Sequence, residues 1–297
     1  VRTYPGAVTG GIAVLALLAA CGAPGDPVDG GGESAGPVTS VDELPDGAQI
    51  GVPNDPANLG RSLQLLAGEG LITLDPEVEG SVTEQDIAEN PRGIQFVPLE
   101  AAQLPRSLQD FDAAIVNGNY AIEAGLNPAE DAIVLESGED NPYANGLVAQ
   151  GENADDPRVE QLGALLNTQE VHDFIAETYT NGSVVPAFTP TGPAADVQPL
   201  DDPGEPLRVG VSPVPHGEIL GYVDSELAAD AGLDLEIIEF SDYVQPNLQL
   251  ADGELDANFF QHRPYLAEFL AGQGEGEDFQ YLTDVHVEPL GLYVYGG

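Results

Sequence analysis

The sequence predicts an α/β fold in two lobes, each a sheet of parallel-type strands with helices on its faces. Three observations carry that expectation. Short apolar runs alternate with stretches of helical period, first over residues 48–179 and again from residue 207 onward. A Pro-rich segment, residues 189–206, separates the two rounds. With 297 residues and 42% hydrophobic content, the chain can bury a core of two-lobed size.

In the first round, residues 48–52 read as a strand. Residues 58–70 read as a helix, because Leu59, Leu63, Leu65 and Leu66 recur on one face and Gly70 ends the pattern. Residues 94–97 form the next strand, 100–108 a helix, and the apolar run 113–116 a buried strand. Residues 156–179 read as one or two amphipathic helices, closed by Asn181-Gly182. The second round gives a strand at 207–211, a helix at 218–231, a strand at 233–240, a helix at 244–251 and a strand at 257–260. A last helix opens at Pro264, a position where proline is tolerated because its missing N–H would be unpaired anyway.

Open α/β sheets bind ligands beyond the carboxyl ends of their strands. Asn54, Asn117, Asn119, Tyr243, Phe260 and His262 fall at or just past predicted strand ends. That shared placement nominates them together.

Charge restricts the function classes. The formal net charge is −44, and all seven basic residues are arginine. Such a field repels phosphates, so no nucleic-acid partner is expected. It also strains the compact state by self-repulsion unless salt screens it, which fits adaptation to salt. Enzyme signatures are lacking too. There is no Gly-Lys-Ser/Thr phosphate loop and no His-x-x-x-His pair, and the single cysteine lies at position 21. No catalytic residue, cofactor or metal is expected.

Residues 1–21 read as a lipoprotein signal peptide: Arg2, then an apolar stretch, then Leu18-Ala19-Ala20-Cys21 as a lipobox. Lipidation of Cys21 would anchor the protein to the extracytoplasmic face of the cell membrane without a span. An ordinary cleaved signal with an incidental cysteine is the other reading of the same residues. Residues 22–40, rich in Gly and Pro, form a flexible tether.

The run Ala257-Asn258-Phe259-Phe260-Gln261-His262-Arg263-Pro264-Tyr265-Leu266 is the most specific in the chain. With it go Phe240-Ser241-Asp242-Tyr243 upstream and Asn54-Asp55-Pro56-Ala57-Asn58-Leu59-Gly60-Arg61. Together these resemble the methionine-binding lipoproteins of ABC importers, the NlpA lipoprotein family. The resemblance covers most of residues 40–188 and 207–295, in the opposite order from the usual member. There, a segment like 207–293 comes first, and one like 40–188 follows and ends near Val184-Val185-Pro186-Ala187-Phe188. This arrangement looks like a circular permutation, with 189–206 joining the usual termini; a truncated tandem fusion or a gene-assembly error is the rival account.

The resemblance implies a two-lobed periplasmic-binding-protein-like fold with a ligand cleft between two βα lobes. Residues 41–125 would be the continuous lobe, and 126–188 with 207–297 the second. It implies capture of methionine and delivery to an ABC importer permease with a cytoplasmic ATPase. A Met-containing dipeptide or another small amino acid is the alternative cargo, and an α/β enzyme a more distant one. Arg61 would pair with the ligand carboxylate, as arginine does bidentately. Asn58, Asn117, Asn119 and Asn145 would supply polar contacts, though Asn58 also suits a helix cap and the two Asn around Gly118 suit a turn. Tyr243, Phe260, His262 and Tyr265 would form the opposite, polarizable wall for a thioether. His216 stands at a strand end and could line the cleft; His172 and His286 read as structural or exposed.

Overall fold

The computed structural model describes residues 38–78, 80–202, 204–273 and 278–296. The signal peptide, Cys21 and most of the tether lie outside the described residues. The chain begins with β1 (Gln49–Pro53), α1 (Pro56–Gly68), β2 (Thr73–Leu74), β3 (Ile87–Glu89), β4 (Gln95–Leu99) and β5 (Ala113–Val116). It continues through α2 (Gly118–Glu123), α3 (Pro128–Asp131), β6 (Ala132–Leu135), β7 (Asn145–Gln150), α4 (Pro157–Leu166), α5 (Gln169–Thr178) and β8 (Val185–Pro186). Then follow β9 (Leu207–Val211), α6 (Glu218–Val223), β10 (Leu235–Glu239), α7 (Gln245–Ala251), β11 (Ala257–His262), α8 (Arg263–Gln273), β12 (Phe279–Val287) and β13 (Gly291–Tyr293).

Two mixed sheets organise the molecule. The first has order β4-β1-β5-β13-β6 and the second β10-β9-β11-β7-β12-β8, while β2 and β3 pair as a separate ribbon. The fold is therefore α/β in two lobes, as the alternation predicted. The sheets are only partly parallel. β1 runs parallel to β4 and β5, and β9 parallel to β10 and β11. β13 and β7, by contrast, run antiparallel to their neighbours. The reason is topological: the chain changes lobe at residues 136–144 and again at 288–290. A strand entered from the other lobe starts at the opposite end of its new sheet.

Those crossovers also correct the predicted lobe boundary. β6 and β13 belong to the first sheet, so residues 132–135 and 291–293 are not part of the second lobe. The chain leaves the first lobe after β6 rather than at residue 125.

Local chemistry explains where the helices differ from expectation. α1 starts at Pro56, and the Asp55 carboxylate accepts the Asn58 N–H, so Asp55 is the cap and Asn58 is not. Residues 101–110 wind as a 3-10 helix around Pro105, which has no N–H for a regular α ladder. The stretch 156–179 is two helices, α4 and α5, broken at Asn167 and Thr168. In the 218–231 region, α geometry holds only over α6, with wider turns on either side.

Each lobe has its own core. The second is built on Leu147, Leu162, Leu165, Leu207, Val209, Ile219 and Phe259. The first packs Ile50, Val52, Leu63, Leu66 and Ile115 together with Leu290 and Leu292. Val38, Val41, Leu44 and Val294 join this same first-lobe cluster, which brings the two ends of the described chain side by side. The 189–206 segment is docked on the second lobe. Ala194, Val197 and Leu200 pack on its core, and the Gln161 side chain donates to the Gln198 carbonyl at 2.9 Å. Among the described residues no helix is long and apolar enough to cross a membrane.

Candidate functional site

The two lobes meet along α1 and α2 on one side and β11 with the start of α8 on the other. α1 turns an unusual face toward this seam: Asn58, Arg61 and Ser62 are all buried. Polar groups this deep require partners. Ser62 donates to the Asn58 carbonyl within the helix, and the other two find partners beyond it.

Arg61 is 3% exposed. Its Nε and Nη2 donate to the Glu136 carboxylate, and Nη2 also reaches the Glu288 carbonyl at 2.9 Å. The guanidinium lies 4.3 Å over the Tyr143 ring. Nη1 makes no hydrogen bond to a described residue. The bidentate face expected to hold a ligand thus holds Glu136, and only the Nη1 edge remains open.

Asn58 forms a junction between lobes. Its Oδ1 accepts from Asn117 Nδ2 at 2.9 Å and stands 3.3 Å from His262 Nε2. His262 Nδ1 accepts the Tyr265 N–H at 3.2 Å, so the proton sits on Nε2 and points at Asn58. Burial and the nearby Arg61 charge hold His262 well below the usual histidine range, and the ring is neutral at pH 7.

An aromatic wall completes the enclosure. Tyr243 donates to Asn119 Oδ1 at 2.6 Å, and Tyr265 donates to the Tyr243 carbonyl at 3.0 Å. Tyr243, Phe260 and Tyr265 stand 5.7 to 6.0 Å apart between ring centres. Behind them Gln261 is fixed by Asn247 and Asn258 through side-chain amide bonds of 2.7 to 2.9 Å.

Eight of the nine nominated residues line one cavity: Asn58, Arg61, Asn117, Asn145, Tyr243, Phe260, His262 and Tyr265. Asn119 does not reach it and lies behind Tyr243. Gly118, Gln261 and Glu288 line it as well and were not nominated. Gln261 sits inside the most specific run of the chain, which was the available signal; Glu288 is lost among 51 acidic residues. The space not filled by atoms comes to about 320 Å³, part of it open to solvent. Asn117 Oδ1, on its wall, is buried without a partner, as is Asn119 Nδ2 behind Tyr243.

His216 does not line the cavity. It meets His286 and Glu288 deeper in the seam, all three at most 6% exposed. Glu288 Oε1 lies 2.7 Å from His286 Nε2 and 3.2 Å from His216 Nε2. Among the described residues this is the one group with spacing for a metal ion. The His286 contact is a hydrogen bond, His216 packs against the same oxygen without forming one, and Glu288 Oε2 already accepts the Asn119 N–H at 2.9 Å. Burial lowers both histidines to about 3 and raises Glu288. His286 is thus buried and structural, while His172 is partly exposed beside Asp173.

The chain is similar to known proteins over part of its length. The chain is 45% identical over 147 residues to a probable D-methionine-binding lipoprotein MetQ of Vibrio cholerae, covering 50% of this chain and 54% of that protein. It is 44% identical over 149 residues to the D-methionine-binding lipoprotein MetQ of Salmonella typhi, covering 50% and 55%. The chain spans about half the length of the curated relatives it matches. A nutrient binding protein from Burkholderia cenocepacia, bound to methionine, is 42% identical, with 48% of this chain and 60% of that one covered and a TM-score of 0.44. An ABC transporter periplasmic substrate-binding protein from Coxiella burnetii is 41% identical, with 49% and 60% covered and a TM-score of 0.46. The NlpA lipoprotein family model matches residues 34–188 and 207–295, and this chain belongs to that family.

Proposed function

We propose that this protein is a lipid-anchored receptor that captures methionine outside the cell and delivers it to an ABC importer. The observation that carries the reading is Arg61: a guanidinium buried in the seam, with its Nη1 edge free and the unpaired Asn117 Oδ1 on the same cavity wall. A free amino acid presents a carboxylate for the first and an ammonium for the second. Tyr243, Phe260 and Tyr265 offer an apolar, polarizable surface suited to a thioether. The reading involves no covalent step.

The cavity lies in the seam between the lobes, so capture involves the lobes separating and closing again, a shift of population toward the closed state by the ligand's preference for it. The crossovers at 136–144 and 288–290 are the segments about which they would move.

Chain order is part of the proposal. We read the sequence as a circular permutation of the family arrangement, with residues 189–206 bridging the usual ends. Two facts support it. The family match falls in two blocks that omit this segment. The ends of the described chain, Val38 and Val294, share one hydrophobic cluster, as ends opened by permutation within a lobe would.

Mass spectrometry of ligand released on denaturing the purified full-length protein, followed by titration of the stripped protein with L-methionine in high salt, tests the receptor reading. Methionine in the extract and one-to-one uptake are expected. A well-folded protein that takes up no methionine would overturn the cargo assignment, and the dipeptide and sulfoxide would then be screened.

A further inference from the structure

We propose that Glu288 is the positioning residue that locks the cleft shut, with His216 and His286 as its seat. The proposal rests on the receptor reading above and concerns a cavity-lining residue whose role is argued from its contacts to the two lobes.

Glu288 is the first residue of the three-residue crossover between β12 and β13, so it belongs to neither lobe. Each of its polar atoms is committed to one of them. Oε1 faces His286 on β12 and His216 on the turn after β9, both in the second lobe. Oε2 accepts the Asn119 N–H of α2, and the carbonyl accepts Arg61 Nη2 of α1, both in the first lobe. A single residue, through its carboxylate and its carbonyl, thus joins four segments across the seam. Separating the lobes in this register breaks at least one pair of these contacts.

The packing enforces the same register. A Cβ at Gly118 would stand 2.7 Å from Glu288 Cβ and 3.1 Å from the Pro289 carbonyl. Only glycine lets α2 approach the crossover this closely. The second crossover is tied into the same set, because Glu136 holds Arg61 and also accepts the Leu290 N–H at 3.2 Å. Arg61, the residue proposed to grip the ligand, is therefore oriented by both crossovers at once. A carboxylate buried this fully is costly unless its acceptors are filled. The His286 ring and the Asn119 N–H supply hydrogen bonds, and the His216 ring packs 3.2 Å from Oε1, none of them adding a second charge that would compete with the ligand.

The test compares full-length wild type with Glu288→Gln and His286→Gln, and with the exposed-strand control Glu236→Gln. Three quantities are read: methionine affinity by calorimetry, on and off rates by stopped-flow tyrosine fluorescence, and hydrogen exchange at the Asn119 and Leu290 amides. Glu288→Gln should weaken affinity at least tenfold, mostly through a faster off rate, and should speed exchange at both amides. His286→Gln should shift all three in the same direction, and the control should shift none. A fall in melting temperature with off rate and exchange unchanged would reduce Glu288 to a packing role and overturn the proposal. Should the wild type bind no methionine, the receptor reading fails, while the exchange data still decide the lock: faster exchange in Glu288→Gln upholds it, and unchanged exchange overturns it.

Discussion

Arg61 joins stability and recognition in one side chain. Replacing it with alanine leaves the Glu136 carboxylate, 17% exposed, without its partner. Breaking a buried pair in this way costs about 3–5 kcal/mol, and the residual exposure of Glu136 places the expected loss at the lower end. Methionine affinity should fall with it, by about 2 kcal/mol or more, roughly thirtyfold. Arg61→Lys should not restore it, since an ammonium cannot serve Glu136, the Glu288 carbonyl and a ligand from one fork. Calorimetry on the two variants checks this, and an affinity change under about threefold would remove Arg61 from the site. The buried histidines give a second residue-scale expectation. His216 and His286 are lowered to about 3, and His262 lies well below its usual value. Below the unfolded value of about 6.5, the unfolded chain binds protons that the folded chain does not, so stability falls as pH falls. Between pH 7 and 5.5 His216 and His286 should each remove about 1 kcal/mol, and His262 acts in the same direction. Glu288 and Asp55, both raised by burial, act in the opposite direction. Urea unfolding at the two pH values, in high salt, should show the weaker fold at pH 5.5; equal midpoints would mean that the rings are not held neutral.

Elements were legible where their pattern was uninterrupted. β1, β5, β9 and β11 are short apolar runs feeding turns or helices, and the sequence marks all of them. β7 opens with Asn145-Gly146, a pair that reads as a turn, yet it sits centrally between β11 and β12. α2 opens through Asn117-Gly118-Asn119 and was hidden for the same reason. β13 is three residues long and becomes a strand only because β5 and β6 wait on either side. The site followed the same logic. Phe260, His262 and Tyr265 were readable because one run carries them, whereas the role of Glu288 depends on contacts from α1, α2, β12 and the turn after β9. No local pattern encodes such a meeting. Gly146 shows what this hidden order demands. A Cβ there would run into the Thr283 carbonyl and the Tyr281 ring. Gly146→Ala should cost about 3 kcal/mol through overpacking. Gly221, in α6, has nothing within 4 Å of an added Cβ, and Gly221→Ala should stabilise by about 0.5–1 kcal/mol. Denaturant midpoints of the two variants should move in opposite directions, and a midpoint for Gly146→Ala that does not fall would show that the close approach in β7 is not what requires glycine there.

At the scale of the whole molecule, two features bear on its behaviour: a charge of −44 and the proposed permutation of chain order. Self-repulsion of this size is screened within about 3 Å at molar salt but reaches about 30 Å at 0.01 M. The melting temperature should rise markedly between those limits, and a flat profile would count against salt adaptation. Chain order invites a stricter test, because a fold held by its two cores should be indifferent to where the chain is cut. Val38 and Val41 share a cluster with Val294, while Leu200 is docked on the second-lobe core just before the exposed pair Asp201 and Asp202. A chain that starts at Asp202, joins residue 297 to residue 37 and ends at Asp201 restores the family order. It keeps Ala194, Val197 and Leu200 on the lobe they pack against. Loop closure changes by only about 0.6 kcal/mol for each doubling of length, so the cores should decide the outcome. The rearranged protein should melt within a few degrees of the original and bind methionine with similar affinity. If it fails to fold in molar salt while the original folds, the present order is not a neutral permutation. The docked 189–206 segment would then be a structural part of this protein that its connection, and not only its contacts, maintains.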